Sequence, residues 1–209
     1  MNFPLHISFS HSYCWLQIPK CGSSSIRTHL NHHTEKSLTG LGGQPQDIAD
    51  WKKFEYKKEY LDLFNFAFVR NPFDRLLSCW IDKVKLHHRW SKNKYQGKNI
   101  HYLIDNNFSF KEFAAKICKE KNFRDEHWKP LLEFFPERHL DFISKFRLEN
   151  LQEDFDIVCD KIGIPRKKLP RKNATKHRRY TEYYDDETRQ IVAEKYAKDI
   201  EYFGYKFGE

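Results

Sequence analysis

The chain has 209 residues, 39% of them hydrophobic and 16% aromatic, enough to bury one sizeable core, so a single domain over 1–209 is expected. Lys and Arg outnumber Asp and Glu by 37 to 29, a formal net charge of +8 that suits a highly anionic cofactor, an acidic glycan or a nucleic acid. Five cysteines at irregular spacing exclude a disulfide framework and a Cys-x-x-Cys zinc site. No apolar run approaches the ~18 residues of a membrane span, and nothing at the N-terminus reads as a signal or anchor, so a cytoplasmic protein is expected.

An apolar strand from Tyr13 to Ile18 runs into Pro19-Lys20-Cys21-Gly22 and then into a helix from about Ser24 to His33. This is the chemistry of a phosphate cradle. The helix start aims unpaired N–H groups and the positive dipole end at the turn. Lys20 adds a full charge, Gly22 permits close backbone approach, and Ser23, Ser24 and Ser25 carry hydroxyls that can donate to oxyanions. The competing reading is a plain corner whose serines only cap the helix. A Walker-type loop is excluded because Lys20 precedes the only glycine, and a dinucleotide loop because Gly22 stands alone.

Gly40, Gly42, Gly43 and Pro45 mark a loop suited to a lid, followed by a helical stretch from Asp47 to Tyr60. Leu63–Val69 reads as a buried strand rich in β-favouring residues, broken by Arg70-Asn71-Pro72 into a helix from Pro72 to about Lys85. Asn71 is the expected N-cap with Pro72 in the first turn. Arg70 then stands at the carboxyl end of a strand and Ser78 two turns along the helix, a pair able to take a second anion. Two anion sites at two strand–helix junctions suggest a ligand phosphorylated at both ends.

From His87 to Asn107 the sequence is polar, an expected acceptor-side insertion rather than core. Ser109 and Glu112 form a capping-box signature for a helix to about Lys119. Asp141–Phe146 reads as a third strand, Glu149–Lys161 as a helix ended by Gly163 and Pro165, and Asp185–Tyr202 as one long final helix. Strands alternating with helices predict an α/β fold, a P-loop-like three-layer domain with a mainly parallel central sheet and ligands at the carboxyl ends of its strands.

Ile18–Ile26 resembles the 5′-phosphosulfate loop, and Phe68–Ser78 the 3′-phosphate motif, of sulfotransferases that use 3′-phosphoadenosine 5′-phosphosulfate (PAPS). Asp125–Pro130, Leu140–Phe146, Glu149–Asp154, Tyr183–Glu187 and Asp199–Tyr205 resemble, in order, later segments of the carbohydrate sulfotransferases. The resemblance spans nearly the whole chain. It implies PAPS as cofactor, held by Lys20, Cys21, Gly22, Ser23, Ser24, Ser25, Arg70 and Ser78, with no metal required and a carbohydrate or other hydroxyl as acceptor. It also implies that part of the basic stretch Arg166–Arg179 folds over the nucleotide.

Lys20 is the expected stabiliser of the leaving phosphate. For the base that takes the acceptor proton, His127 leads because an imidazole titrates near neutral pH, and the competing reading of it is a packed structural histidine. His32 and His33 are rivals, since relatives that sulfate uronic acids place a catalytic histidine after the loop helix. Asp47 and Glu55 are weaker, needing burial or neighbours to become basic. The alternative class is a non-catalytic module binding nucleic acid or another polyanion. Paired phosphate motifs and the lack of aromatic residues between Arg166 and Arg179 favour the enzyme, with no nucleic-acid or membrane partner expected.

Overall fold

A computed structural model describes residues 5–38, 58–86, 98–120, 123–172 and 178–209. The expected lid at Gly40–Pro45, the residues Asp47 and Glu55, and the centre of the basic stretch lie outside the described residues. The chain divides into two compact units, one of residues 1–70 and 131–173, the other of residues 71–130 and 174–209.

The first unit holds a five-stranded sheet of β1 (Leu5–Ser8), β2 (Tyr13–Leu16), β3 (Lys36–Leu38), β4 (Phe64–Val69) and β5 (Ser144–Arg147), in the order β3-β1-β2-β4-β5. β2 pairs in parallel with β4 and β4 with β5, whereas β1 runs antiparallel to both β2 and β3. Four strands therefore share one direction and β1 opposes them, which makes this the expected α/β sheet of mainly parallel sense. The expectation missed β1 and β3, because segments of four and three residues are too short to display a period of two.

Alternation along β4 puts Phe64, Phe66 and Phe68 on one face. Phe146 of β5 meets Phe68 at 5.5 Å between ring centres, and Trp15 of β2 lies parallel to Phe66 at 6.5 Å. Each buried aromatic of this kind contributes on the order of 2 kcal/mol by leaving water. This unit also carries α1 (Ser23–Leu30), the single turn α2 (Lys58–Leu61) and α6 (Leu151–Ile162). Gly163 ends α6 with φ +68°, a left-handed cap that glycine adopts without strain.

The second unit is helical, built from α3 (Pro72–Trp80), α4 (Lys98–Asp105), α5 (Phe110–Lys119), α7 (Asp186–Lys195) and α8 (Ala197–Phe203). Its core gathers Leu76 and Leu77 of α3, Phe113 and Ile117 of α5, Trp128, and Val192 and Tyr196 beside α7. The capping box at Ser109 and Glu112 forms as expected.

Two expectations are corrected. The stretch after His87 is not wholly outside the core, because α4 buries Ile100 and Leu103 on one face. The final helix is not continuous. It breaks at Tyr196 (φ −105°, ψ 20°), whose buried ring sends its hydroxyl to the Trp128 carbonyl at 2.6 Å.

Candidate active site

The first unit's site grows from the pairing of β2 with β4. Adjacent parallel strands end side by side, so the turn after β2 and the residue after β4 become neighbours. Arg70 donates from Nη1 to the Lys20 carbonyl at 3.1 Å. Lys20 itself has φ +68° and Gly22 φ +79°. A lysine in the left-handed region is strained by roughly 1 kcal/mol, and such strain gathers where ligands are clamped.

Gly22 is also the N-cap of α1, and no side chain caps that helix end. A Cβ on Gly22 would lie 2.8 Å from Leu148 Cδ1. The reading of the three serines as mere caps therefore fails. Ser23 donates to the Ile18 carbonyl at 2.8 Å, fastening the helix start to the strand end. Cys21 is buried, its thiol directed at the Pro19 carbonyl 3.7 Å away and its N–H at the Ile18 carbonyl 3.4 Å away, so both groups serve the turn itself. An uncapped helix start, a lysine and left-handed backbone on either side of Cys21 fit an anionic oxygen cluster.

A network missed by the sequence reading braces this turn. Gln17, directly after β2, accepts at Oε1 from Arg27 of α1, at 3.1 Å from Nε and 2.5 Å from Nη2, and from His6 of β1 at 3.0 Å. Burial pushes the His6 imidazole down to about 4, with the Arg27 charge adding to the effect against the Gln17 bond. His6 therefore stays neutral and donates from Nε2.

The start of the basic stretch reaches the same helix turn. Lys172 N donates to Ser25 Oγ at 3.3 Å. Arg166 is committed elsewhere, pairing with Asp160 at the end of α6, and Arg178 lies 3.5 Å from Glu182. Arg171 and Lys172 are exposed and form no ion pair among the described residues.

His33 falls away from this turn. It follows the far end of α1, and eight helical residues at 1.5 Å each separate the two ends by about 12 Å. There it joins other histidines: its Nδ1 lies 3.3 Å from His11 Nε2, while His29 Nε2 donates to the Pro165 carbonyl at 3.1 Å. Burial lowers the His33 imidazole, helped by the charges of His11, His29, His32 and Lys167.

In the second unit Asn71 caps α3 as expected, accepting from Phe73 N at 3.1 Å and donating to the Lys206 carbonyl at 2.9 Å. Ser78 is buried on α3. Arg75, passed over by the sequence reading, is only 2% exposed and donates to the carbonyls of Lys129 at 2.6 Å and Glu126 at 3.2 Å. It thereby fixes the segment that carries His127. Beyond Trp80 the helix widens into a π-helical turn, Ile81–Lys85, that buries Lys83 beside Asp82 at 3.3 Å.

His127 is half-buried, and one oxygen of Asp125 accepts both its backbone N–H at 2.9 Å and its ring Nδ1 at 2.6 Å. Burial pushes the Asp125 carboxyl up, but the bond and charge of His127 and the charge of Lys83 outweigh it and hold the carboxyl below its usual value. An Asp-x-His spacing was visible in the sequence and is the signal that could have found this pair. Among the described residues no three His, Cys, Asp or Glu side chains gather as metal ligands would, and no helix is long and apolar enough to cross a membrane.

Residues 5–206 match the Sulfotransferase family, and the chain belongs to it. It is similar to human carbohydrate sulfotransferase 9, 26% identical over a 240-residue alignment that covers 96% of this chain and 53% of that protein. It is also similar to carbohydrate sulfotransferase 14 of Danio rerio, 26% identical over 133 residues, covering 56% of this chain and 35% of that protein. The chain thus spans about half, or less, of the length of these relatives. No solved structure matches it.

Proposed function

We propose that this protein transfers a sulfuryl group from PAPS to a hydroxyl of a carbohydrate. The observation that carries the reading is the joined pair of strand ends, where Arg70 holds the Lys20 carbonyl beside an uncapped helix start. The relatives' names supply the acceptor class, since both are carbohydrate sulfotransferases.

Bound at that turn, the donor supplies an activated sulfuryl group on a phosphate that leaves. Lys20 and the N–H groups of Gly22, Ser23 and Ser24 hold the 5′ end, where negative charge grows as that phosphate departs. Arg70 holds the 3′-phosphate, with Arg171 and Lys172 adding charge over the nucleotide. His127 takes the acceptor proton through Nε2. His33 is not chosen as the base, because it follows the far end of α1, about 12 Å from the Lys20 turn.

Calorimetry with 3′-phosphoadenosine 5′-phosphate, ATP, AMP and NAD tests the nucleotide half of this reading. Binding of the first at least tenfold tighter than the other three is expected. Equal affinity for ATP would overturn it.

A further inference from the structure

Resting on that reading, we infer that Asp125 is a positioning residue for the reaction: it fixes the His127 imidazole with its proton on Nδ1, so that Nε2 presents the lone pair that receives the acceptor's proton. The geometry is specific. A carboxylate can only accept, so the 2.6 Å contact makes Nδ1 the donor and leaves Nε2 as the nitrogen on which the ring can take up a proton. The same oxygen is pinned by the backbone N–H of His127 at 2.9 Å, which stops the carboxylate from turning its other oxygen to the ring. Glu126 has Oε1 4.0 Å from Nε2, beyond hydrogen-bond distance, so it does not draw the ring proton onto Nε2.

The surroundings keep this arrangement stiff and charged. Arg75 holds the carbonyls of Glu126 and Lys129 on either side of His127 and Trp128. Trp128 is itself locked by its indole N–H on the Phe123 carbonyl at 2.9 Å and by Tyr196 on its own carbonyl. From the π-helical turn, buried Lys83 acts electrostatically on Asp125, with Asp82 at its side. Lys83 acts on the Asp125 carboxylate, and Glu126 lies 4.0 Å from the His127 ring. Insertions of π geometry in helices are frequent at functional sites, and here the turn delivers the one buried lysine of this unit's described core polar set.

In the transfer step the acceptor oxygen forms its bond to sulfur while its proton moves to His127 Nε2. The bond from sulfur to the bridging phosphate oxygen breaks and its electron pair leaves on the phosphate. His127 ends as an imidazolium beside a carboxylate that stays ionised, a charge pair that favours the proton-transferred state. Asp125 neither gains nor loses a proton.

The test uses the full chain labelled with ¹⁵N-histidine. Long-range ¹H–¹⁵N spectra, with His127 assigned by its loss in His127→Asn, should show Nδ1 protonated at neutral pH in the wild type. Asp125→Asn should keep that tautomer, because the backbone N–H still aims an amide oxygen at the ring, yet lower kcat roughly tenfold or more by removing the charge. Asp125→Ala should lose the tautomer preference and lower kcat further. Affinity for 3′-phosphoadenosine 5′-phosphate should stay within about twofold of wild type in both variants. A wild-type His127 protonated on Nε2, or full kcat in folded Asp125→Asn, would overturn the inference. Should Asp125→Ala not fold, the wild-type spectrum and Asp125→Asn still decide it. If the wild type transfers no sulfuryl group at all, the reading of the function fails, while the tautomer spectrum still answers for Asp125.

Discussion

Arg70 reaches back across the sheet to hold the carbonyl of Lys20, Nη1 to O at 3.1 Å, so the turn after β2 and the end of β4 are one mechanical element rather than two. The contact follows from topology. β2 and β4 lie side by side in parallel register, Leu16 opposite Ala67, and each chain leaves the sheet at the same edge. The chain also changes direction here, passing from β2 to β3 on one side of the sheet and later to β4 on the other, the kind of switch point where open α/β sheets bind ligands.

Arg70→Ala is therefore expected to do two things at once. Loss of the charged partner of a bound phosphate weakens 3′-phosphoadenosine 5′-phosphate by on the order of 2–4 kcal/mol, and loss of the tether loosens the Lys20 turn. Calorimetry separates the two: a larger loss for 3′-phosphoadenosine 5′-phosphate than for AMP reports the 3′-phosphate contact. Equal losses for both would reduce Arg70 to a tether.

Gly22→Ala should destabilise the fold as well as the site. The φ of +79° alone is unfavourable by about 1–2 kcal/mol for an alanine, and the new Cβ would press on Leu148 Cδ1 from 2.8 Å. Denaturant unfolding should show that loss. Leu148→Ala in the same chain should relieve the clash but leave the backbone strain, so recovery is expected to be partial. Wild-type stability in the single variant would show that the turn is not held in the left-handed region.

His6 gives the fold a specific acid sensitivity. Folded, its imidazole titrates at about 4; unfolded, near 6.5, so between those values the unfolded chain binds more protons. Its contribution is complete above pH 6.5 and is lost as pH falls toward 4, a change on the order of 3 kcal/mol. Unfolding free energies at pH 7 and pH 4.5 should therefore differ less in His6→Gln than in the wild type. An identical pH slope in the two proteins would remove His6 from the network as a neutral donor.

The elements that the sequence announced are those with local chemistry. Pro19-Lys20-Cys21-Gly22 needs a turn, Asn71-Pro72 needs a helix start, and Ser109 with Glu112 closes a capping box, all within a few residues. What stayed hidden depends on distant partners. His6 gains its meaning only when β1 lies antiparallel to β2 and brings it to Gln17, eleven residues away. Arg75 has no local partner to single it out, because the carbonyls it holds, those of Glu126 and Lys129, lie more than fifty residues on. The break at Tyr196 has neither glycine nor proline to announce it, because burial of the tyrosine ring and its bond to Trp128 impose it. Asp125 beside His127 lay in between: the spacing was local, but only the shared oxygen reveals that the ring is oriented.

The most direct measurement is transfer of a labelled sulfuryl group from PAPS to a panel of glycans, made with the wild type and with Lys20→Ala under single-turnover conditions. Labelled glycan from the wild type is expected, with the Lys20→Ala rate lower by about 10²-fold or more while 3′-phosphoadenosine 5′-phosphate still binds. Label on no glycan hydroxyl, or an unchanged rate in Lys20→Ala, would contradict a sulfuryl transfer centred on the Lys20 turn.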